Sequence, residues 1–246
     1  MATMVLIHGA WHDGSAWDVV GRRLQEQGHR VFAPTAAGHG KGADKDVDLE
    51  TATGSLVDAL VDRDLRDVVL VGHSLGGIYI SKVAMAVPER IRRLVFVNAF
   101  VLEDGASLQT TIPPPVAALF DQLAAGSDDH THLLPWPIWR EAFINDAGLD
   151  LARQAYESLS PQPHRTFTDT VDMKPFYEMV QGGRFGCSYL HLTEDTALPP
   201  GEAWGWHPRL SARLGVYRLV TMPGSHEVIF TNPELLADKL VLAARD

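Results

Sequence analysis

Short apolar runs recur along the chain: Met4 to His8, Arg30 to Phe32, Val68 to Val71, Leu94 to Asn98, Ser188 to Leu192 and Val216 to Thr221. Apolar residues in these runs follow one another instead of alternating with polar ones. That is the pattern of strands buried on both faces of a parallel sheet. Between them lie longer stretches with helical spacing: Ser15 to Gln27, Leu49 to Arg66, Leu75 to Val87, Glu202 to Leu214 and Pro233 to Ala244. Asn232 followed by Pro233 predicts an N-cap and first-turn pair for the last of these. The rhythm breaks once, between Asp104 and Gly183, where eight prolines punctuate helical segments such as Trp139 to Asn145 and Leu149 to Ser158. The pattern predicts one α/β unit, a mostly parallel sheet of about six strands flanked by helices, formed by residues 1–103 and 184–246. Residues 104–183 are expected to form a helical cap, inserted after the fourth strand over the sheet's carboxyl edge, where open α/β folds bind ligands.

At 246 residues and 46% hydrophobic, the chain can bury one sizeable core. Its formal charge of -10 argues against a nucleic-acid partner. The basic group Arg90, Arg92 and Arg93 reads as a solvated turn. Cys187 is the single cysteine, so neither an intrachain disulfide nor a zinc cluster of cysteines can form. No apolar run approaches the roughly 20 residues that span a bilayer, and the first strand begins without a basic leader. A cytoplasmic protein with no membrane partner is expected. A homodimer is compatible with the pattern, though nothing in it demands one.

Chemistry enters at Gly72-His73-Ser74-Leu75-Gly76, placed between the apolar run Val68 to Val71 and a helical stretch. A serine at the tip of a sharp strand-to-helix turn needs small residues two before and two after it, because larger side chains collide with the neighbouring backbone. Such a hydroxyl needs a base. Among eleven histidines, His226 stands in Met222-Pro223-Gly224-Ser225-His226-Glu227, the loop leaving the last strand, above the same sheet edge as Ser74. His73 is expected to pack inside, and His130, His132, His164 and His207 to lie on the surface or in the cap. None has metal-ligand spacing. An acid must orient the base. Asp195, after the strand Ser188 to Leu192, is the leading candidate, with Glu194, Glu103 and Asp104 as rivals. The oxyanion donors are expected at the backbone N–H groups of Leu75, at a helix start, and of Ala10, in the Gly9 turn after the first strand.

With these residues in place, the chain resembles the α/β-hydrolase superfamily over nearly its whole length. It is most similar to the compact branch of plant methyl esterases and hydroxynitrile lyases. The segments carrying the resemblance are Val5-Leu6-Ile7-His8-Gly9-Ala10-Trp11-His12, Ala36-Ala37-Gly38-His39-Gly40, Gly72 to Gly77, Leu192-Thr193-Glu194-Asp195 and Pro223-Gly224-Ser225-His226. The resemblance implies a triad in the chain order Ser74, Asp195, His226. It also implies that a lyase would carry a hydroxyl-bearing residue in place of Gly9 and a lysine in place of Glu227, whose carboxylate would repel a departing anion.

The sequence therefore predicts a serine esterase that needs no cofactor or metal and acts on a small to medium hydrophobic or aromatic ester. Gly9, Trp11, Trp136, Trp139 and Phe143 are the candidate pocket residues, drawn from the first turn and the aromatic-rich cap. A lyase using the same triad, and a receptor that binds without reacting, are the alternatives.

Overall fold

The computed structural model describes all residues, Met1 to Asp246. Six strands form one sheet: β1 (Thr3–Ile7), β2 (Arg30–Phe32), β3 (Val68–His73), β4 (Ile91–Val97), β5 (Gly186–Leu192) and β6 (Arg218–Met222). Their spatial order is β2-β1-β3-β4-β5-β6, and every pairing is parallel. Successive residues of the central strands point to opposite faces, and both faces are covered. Val5, Ile7, Leu70 and Phe96 belong to one hydrophobic cluster, and Met4, Leu6, Val69, Val71, Val95 and Val97 to the other. This double burial explains the unbroken apolar runs, each such side chain contributing about 2 kcal/mol relative to exposure.

Helices α1 (Asp18–Glu26) and α7 (Pro233–Ala243) cover one face, and α2 (Leu49–Asp62) and α3 (Gly76–Ala86) the other. Asp48 caps α2 by accepting Thr51 N–H at 2.7 Å. Asn232 caps α7, with Pro233 in its first turn. Between β4 and β5 the chain leaves the sheet to form α4 (Pro114–Ala125), α5 (Leu149–Ser158) and α6 (Lys174–Gln181). Short helical turns and a two-stranded antiparallel ladder, Thr131–His132 with Gln162–Pro163, join these helices.

The chain runs from β1 outward to β2 but from β3 in the opposite direction to β4. The switch point of the sheet thus lies between β1 and β3, where the connections diverge and leave a crevice at the carboxyl edge. No helix is long and apolar enough to cross a membrane.

Three expectations need correction. Glu202 to Leu214 is not a helix: Gly205 and Pro208 break it into turns, and only Ser211–Leu214 forms a 3-10 helix. The last strand begins at Arg218 instead of Val216, and its alternating exposure marks it as the sheet's edge. Arg93 is not in a solvated turn but within β4, buried, where its guanidinium donates to Ser188 Oγ at 3.0 Å and to the Cys187 carbonyl.

Candidate active site

Ser74 stands between the end of β3 and the start of α3 with φ +54°, a left-handed backbone that a serine rarely adopts. The turn is held by its own peptide groups. Ser74 N–H donates to the Val97 carbonyl at 3.3 Å, and the Ser74 carbonyl accepts from Gly77 at 3.1 Å and Phe100 at 3.0 Å. A Cβ on Gly72 would lie 2.4 Å from the Gly76 carbonyl oxygen, so only glycine fits.

Across the switch point, His8 shapes the loop after β1. Its Nε2 accepts Ala36 N–H at 3.1 Å, which leaves the proton on Nδ1 to be donated to the Gly9 carbonyl at 2.9 Å. The peptide is trans, so the Ala10 N–H points away from that anchored carbonyl. Neither Ala10 N–H nor Leu75 N–H donates to another group of the protein.

His226 and Asp195 meet although 31 residues apart: His226 Nδ1 lies 2.6 Å from Asp195 Oδ2, with both side chains buried. Burial disfavours both charges, but mutual attraction and this hydrogen bond outweigh it. The His226 pKa is therefore raised and the Asp195 pKa lowered. Asp195 Oδ2 also accepts from Asn98 Nδ2 at 2.7 Å, and Asp195 Oδ1 accepts from Ala197 N–H at 2.8 Å. The rivals are engaged elsewhere. Glu103 pairs with Arg213, Asp104 with Met173 N–H and Lys174, and Glu194 is exposed.

His73 is buried, and its Nε2–H donates to the His226 carbonyl at 3.0 Å. Burial, reinforced by repulsion from His226, pulls its pKa down to about 3, so the ring stays neutral. Behind the same loop, Glu227 and His12 form a buried pair at 3.2 Å. Burial alone would raise the Glu227 pKa, yet His12 and the neighbouring histidines hold it at about 2. Glu227 does not line the cavity in front of His226, so the expected repulsion of a departing anion would have to act from behind the wall.

Ser74, His226 and Ala10 form part of the wall of a cavity of about 250 Å³. Trp11, Phe120, Phe143 and Phe167 enclose one side, and Phe100, Leu198 and Trp206 line another. Apart from Ser74, His226 and Thr196, the lining is apolar, and it includes no lysine or arginine. Of the candidate pocket residues, Trp11 and Phe143 line this cavity. Trp139 does not: it is fully buried, its indole N–H donating to the Ala152 carbonyl at 3.0 Å. Trp136 lies against Tyr156 in a separate surface depression. Gly9 sits behind the cavity wall, where a Cβ would come within 3.0 Å of Ser74 Cβ. His132 belongs to the inserted segment as expected but is buried, not superficial.

Sequence reasoning missed Asn98 and Trp206. Asn98, at the carboxyl end of β4, has its side chain on Asp195 and on the peptide of Leu192. Its place at a strand end beside Ser74's strand was the available signal. Trp206 stacks on His226 with ring centroids 5.1 Å apart and planes at 16°. It was hidden in the stretch that reads as a helix.

The Alpha/beta hydrolase family matches residues 4–239, almost the whole chain. The chain belongs to this family. The hydrolase is 34% identical to a carbendazim hydrolyzing esterase of Nocardioides sp. (strain SG-4G), across 98% of both chains. It is 32% identical to an alpha-hydroxynitrile lyase of Arabidopsis thaliana, across 98% of this hydrolase and 96% of the lyase. Among solved structures, an extracellular alpha/beta-hydrolase from a Paenibacillus species superposes with a TM-score of 0.95 at 39% identity, covering 100% of both chains. That protein is described as sharing structural and functional homology with tobacco salicylic acid binding protein 2. The sequence-level resemblance to the branch of methyl esterases and hydroxynitrile lyases thus holds across the full length of the hydrolase.

Proposed function

We propose that this hydrolase is a serine carboxylesterase acting on uncharged, hydrophobic or aromatic esters. One juxtaposition carries the reading: Ser74, on its strained turn, shares a cavity wall with His226, whose far nitrogen is held by the buried carboxylate of Asp195. In this scheme His226 Nε2 takes the Ser74 hydroxyl proton as Oγ attacks the ester carbonyl. The Ala10 and Leu75 N–H groups stabilise the tetrahedral oxyanion, each worth about 3 kcal/mol. His226 then gives its proton to the leaving alcohol. Water enters, loses a proton to His226 and releases the acid by the same steps reversed. Asp195 keeps the reactive tautomer and offsets the imidazolium charge.

Residues 104–183 act as the cap in this reading, supplying the apolar roof of the cavity through Phe120, Phe143 and Phe167. A cavity without lysine or arginine favours neutral substrates and offers no cation to an anionic leaving group. This weighs for hydrolysis over cyanohydrin cleavage. The Nocardioides relative supplies carbendazim as a first compound to try beside aryl esters. The test is Ser74→Ala: turnover of an activated aryl ester should fall by about 10⁴-fold or more with an unchanged circular dichroism spectrum. Turnover within tenfold of the parent would refute the assignment.

A further inference from the structure

The loop after β1 contains a second strained residue. Trp11 has φ +63°, a left-handed backbone that a bulky side chain keeps only where its surroundings over-determine it. The surroundings are three hydrogen bonds, all from the inserted segment. Gln162 Oε1 accepts Trp11 N–H at 2.9 Å, Ser160 N–H donates to the Trp11 carbonyl at 2.8 Å, and the His132 carbonyl accepts the indole N–H at 3.2 Å.

Of the three, Gln162 is the one whose side chain is committed to the task. It is fully buried, and its amide orientation is fixed from the other end. His39 Nδ1 donates to the Ala37 carbonyl at 3.0 Å, so His39 Nε2 is left as an acceptor, and it faces Gln162 Nε2 at 3.0 Å. The same Nε2 donates to Thr166 Oγ1 at 2.7 Å, and that hydroxyl is in turn spent on the Pro163 carbonyl. A flipped amide would set oxygen against the His39 lone pair and NH₂ against Trp11 N–H. Only one orientation satisfies every partner.

We propose that Gln162 is a positioning residue for the oxyanion loop. By taking Trp11 N–H it locks the Ala10–Trp11 peptide, and so fixes the neighbouring Ala10 N–H on the cavity wall that Ser74 and His226 share. The inference rests on the esterase reading of Ser74. It adds that the cap roofs the pocket and, through one side chain reaching 151 residues back, sets the geometry of the oxyanion donor.

The experiment compares Gln162→Leu and Gln162→Glu with the parent enzyme, using an aryl ester and an aryl phosphonate. Leucine leaves Trp11 N–H without an acceptor. Glutamate keeps an oxygen there and, protonated as burial favours, points an O–H at His39 Nε2 where the amide N–H stood. Gln162→Leu should lower kcat about 10- to 100-fold with KM changed less than about threefold, and slow phosphonylation in parallel. Gln162→Glu should recover most of both rates, a rescue that a role in packing alone would not produce. A folded Gln162→Leu enzyme with kcat within threefold of the parent, or equal losses in both variants, would overturn the proposal. If the leucine variant does not fold, the parent enzyme decides. Its Trp11 amide proton should exchange as slowly as those of β3 and shift little on phosphonylation, while the Ala10 amide shifts strongly. Fast exchange at Trp11, or a Trp11 shift as large as that of Ala10, would overturn the proposal. If the parent itself shows no phosphonylation of Ser74, the esterase reading fails, not the clamp.

Discussion

Asn98 donates its side-chain amide to Asp195 at 2.7 Å, on the same carboxylate oxygen that receives His226. A buried carboxylate must have its lone pairs satisfied, and without Asn98 only the Ala197 N–H on its other oxygen would hold it against the imidazole. Asn98→Ala should lower kcat/KM for an aryl ester about 10- to 100-fold and cost about 1–3 kcal/mol of stability. Steady-state kinetics and denaturant unfolding check the two effects.

The pH dependence of catalysis follows from the charges around His226. In the proposed scheme His226 works only when neutral, so activity should fall as pH drops below its raised pKa. Glu227, held anionic beside the loop, contributes to that elevation. Glu227→Gln removes the contribution, lowers the His226 pKa and should move the acid limb of the kcat/KM profile to lower pH. The same change removes a carboxylate whose folded pKa of about 2 lies below its ordinary 4.5. Its stabilisation is present above pH 4.5 and lost as pH falls toward 2. The variant should therefore lose stability at neutral pH but show a weaker further loss in acid. A limb that moves to higher pH would reverse the assigned sign.

Buried histidines set a second pH dependence, in stability. Burial pulls the pKa of His39 to about 4 and those of His73 and His132 to about 3, against an ordinary 6.5. Below pH 6.5 the unfolded chain binds protons that these buried rings refuse, so stability falls as pH drops from 6.5 to between 3 and 4. His226 works in the opposite sense, because its raised pKa adds stability in acid that is lost as pH rises through the folded value. With His8 lowered by burial as well, these rings outweigh one. The melting temperature should decline steadily between pH 6.5 and 4, as calorimetry over that range will show.

Gly72 tests the steric logic of the Ser74 turn. With a Cβ 2.4 Å from the Gly76 carbonyl, Gly72→Ala must push α3 away from β3. Overpacking of this kind costs about 1–3 kcal/mol, and the displaced Ser74 should lose activity far beyond what the stability change explains. Gly183, at positive φ with nothing near its Cβ position, is the control. Gly183→Ala should cost about 1–2 kcal/mol, from its backbone alone, and leave kcat intact.

How much of this was legible in the sequence depends on the range over which each feature is encoded. The Ser74 turn is written in consecutive residues, and the continuous apolar runs reveal a doubly covered parallel sheet. Asp195 and His226 can be found because each follows a strand, and strand ends share one edge. Asn98 and Gln162 announce nothing locally. Their roles exist only because folding sets them against Asp195 and Trp11, 97 and 151 residues away. The aromatic residues of the inserted segment were ambiguous for another reason. Trp139 and Phe143 are four residues apart, yet Trp139 is spent on the Ala152 carbonyl while Phe143 turns its ring edge-on to His226. Composition cannot separate an aromatic residue that holds a roof together from one that lines it.

The central claim is that the Ser74 hydroxyl is the nucleophile, activated by His226. Mass spectrometry of the intact and digested protein after treatment with an aryl phosphonate tests it most directly. The account predicts a single adduct on the peptide carrying Ser74, formed at a rate that falls with the protonation of His226 and absent in His226→Ala. Adducts on other side chains with Ser74 unmodified, or labelling of Ser74 at the same rate in His226→Ala, would contradict it.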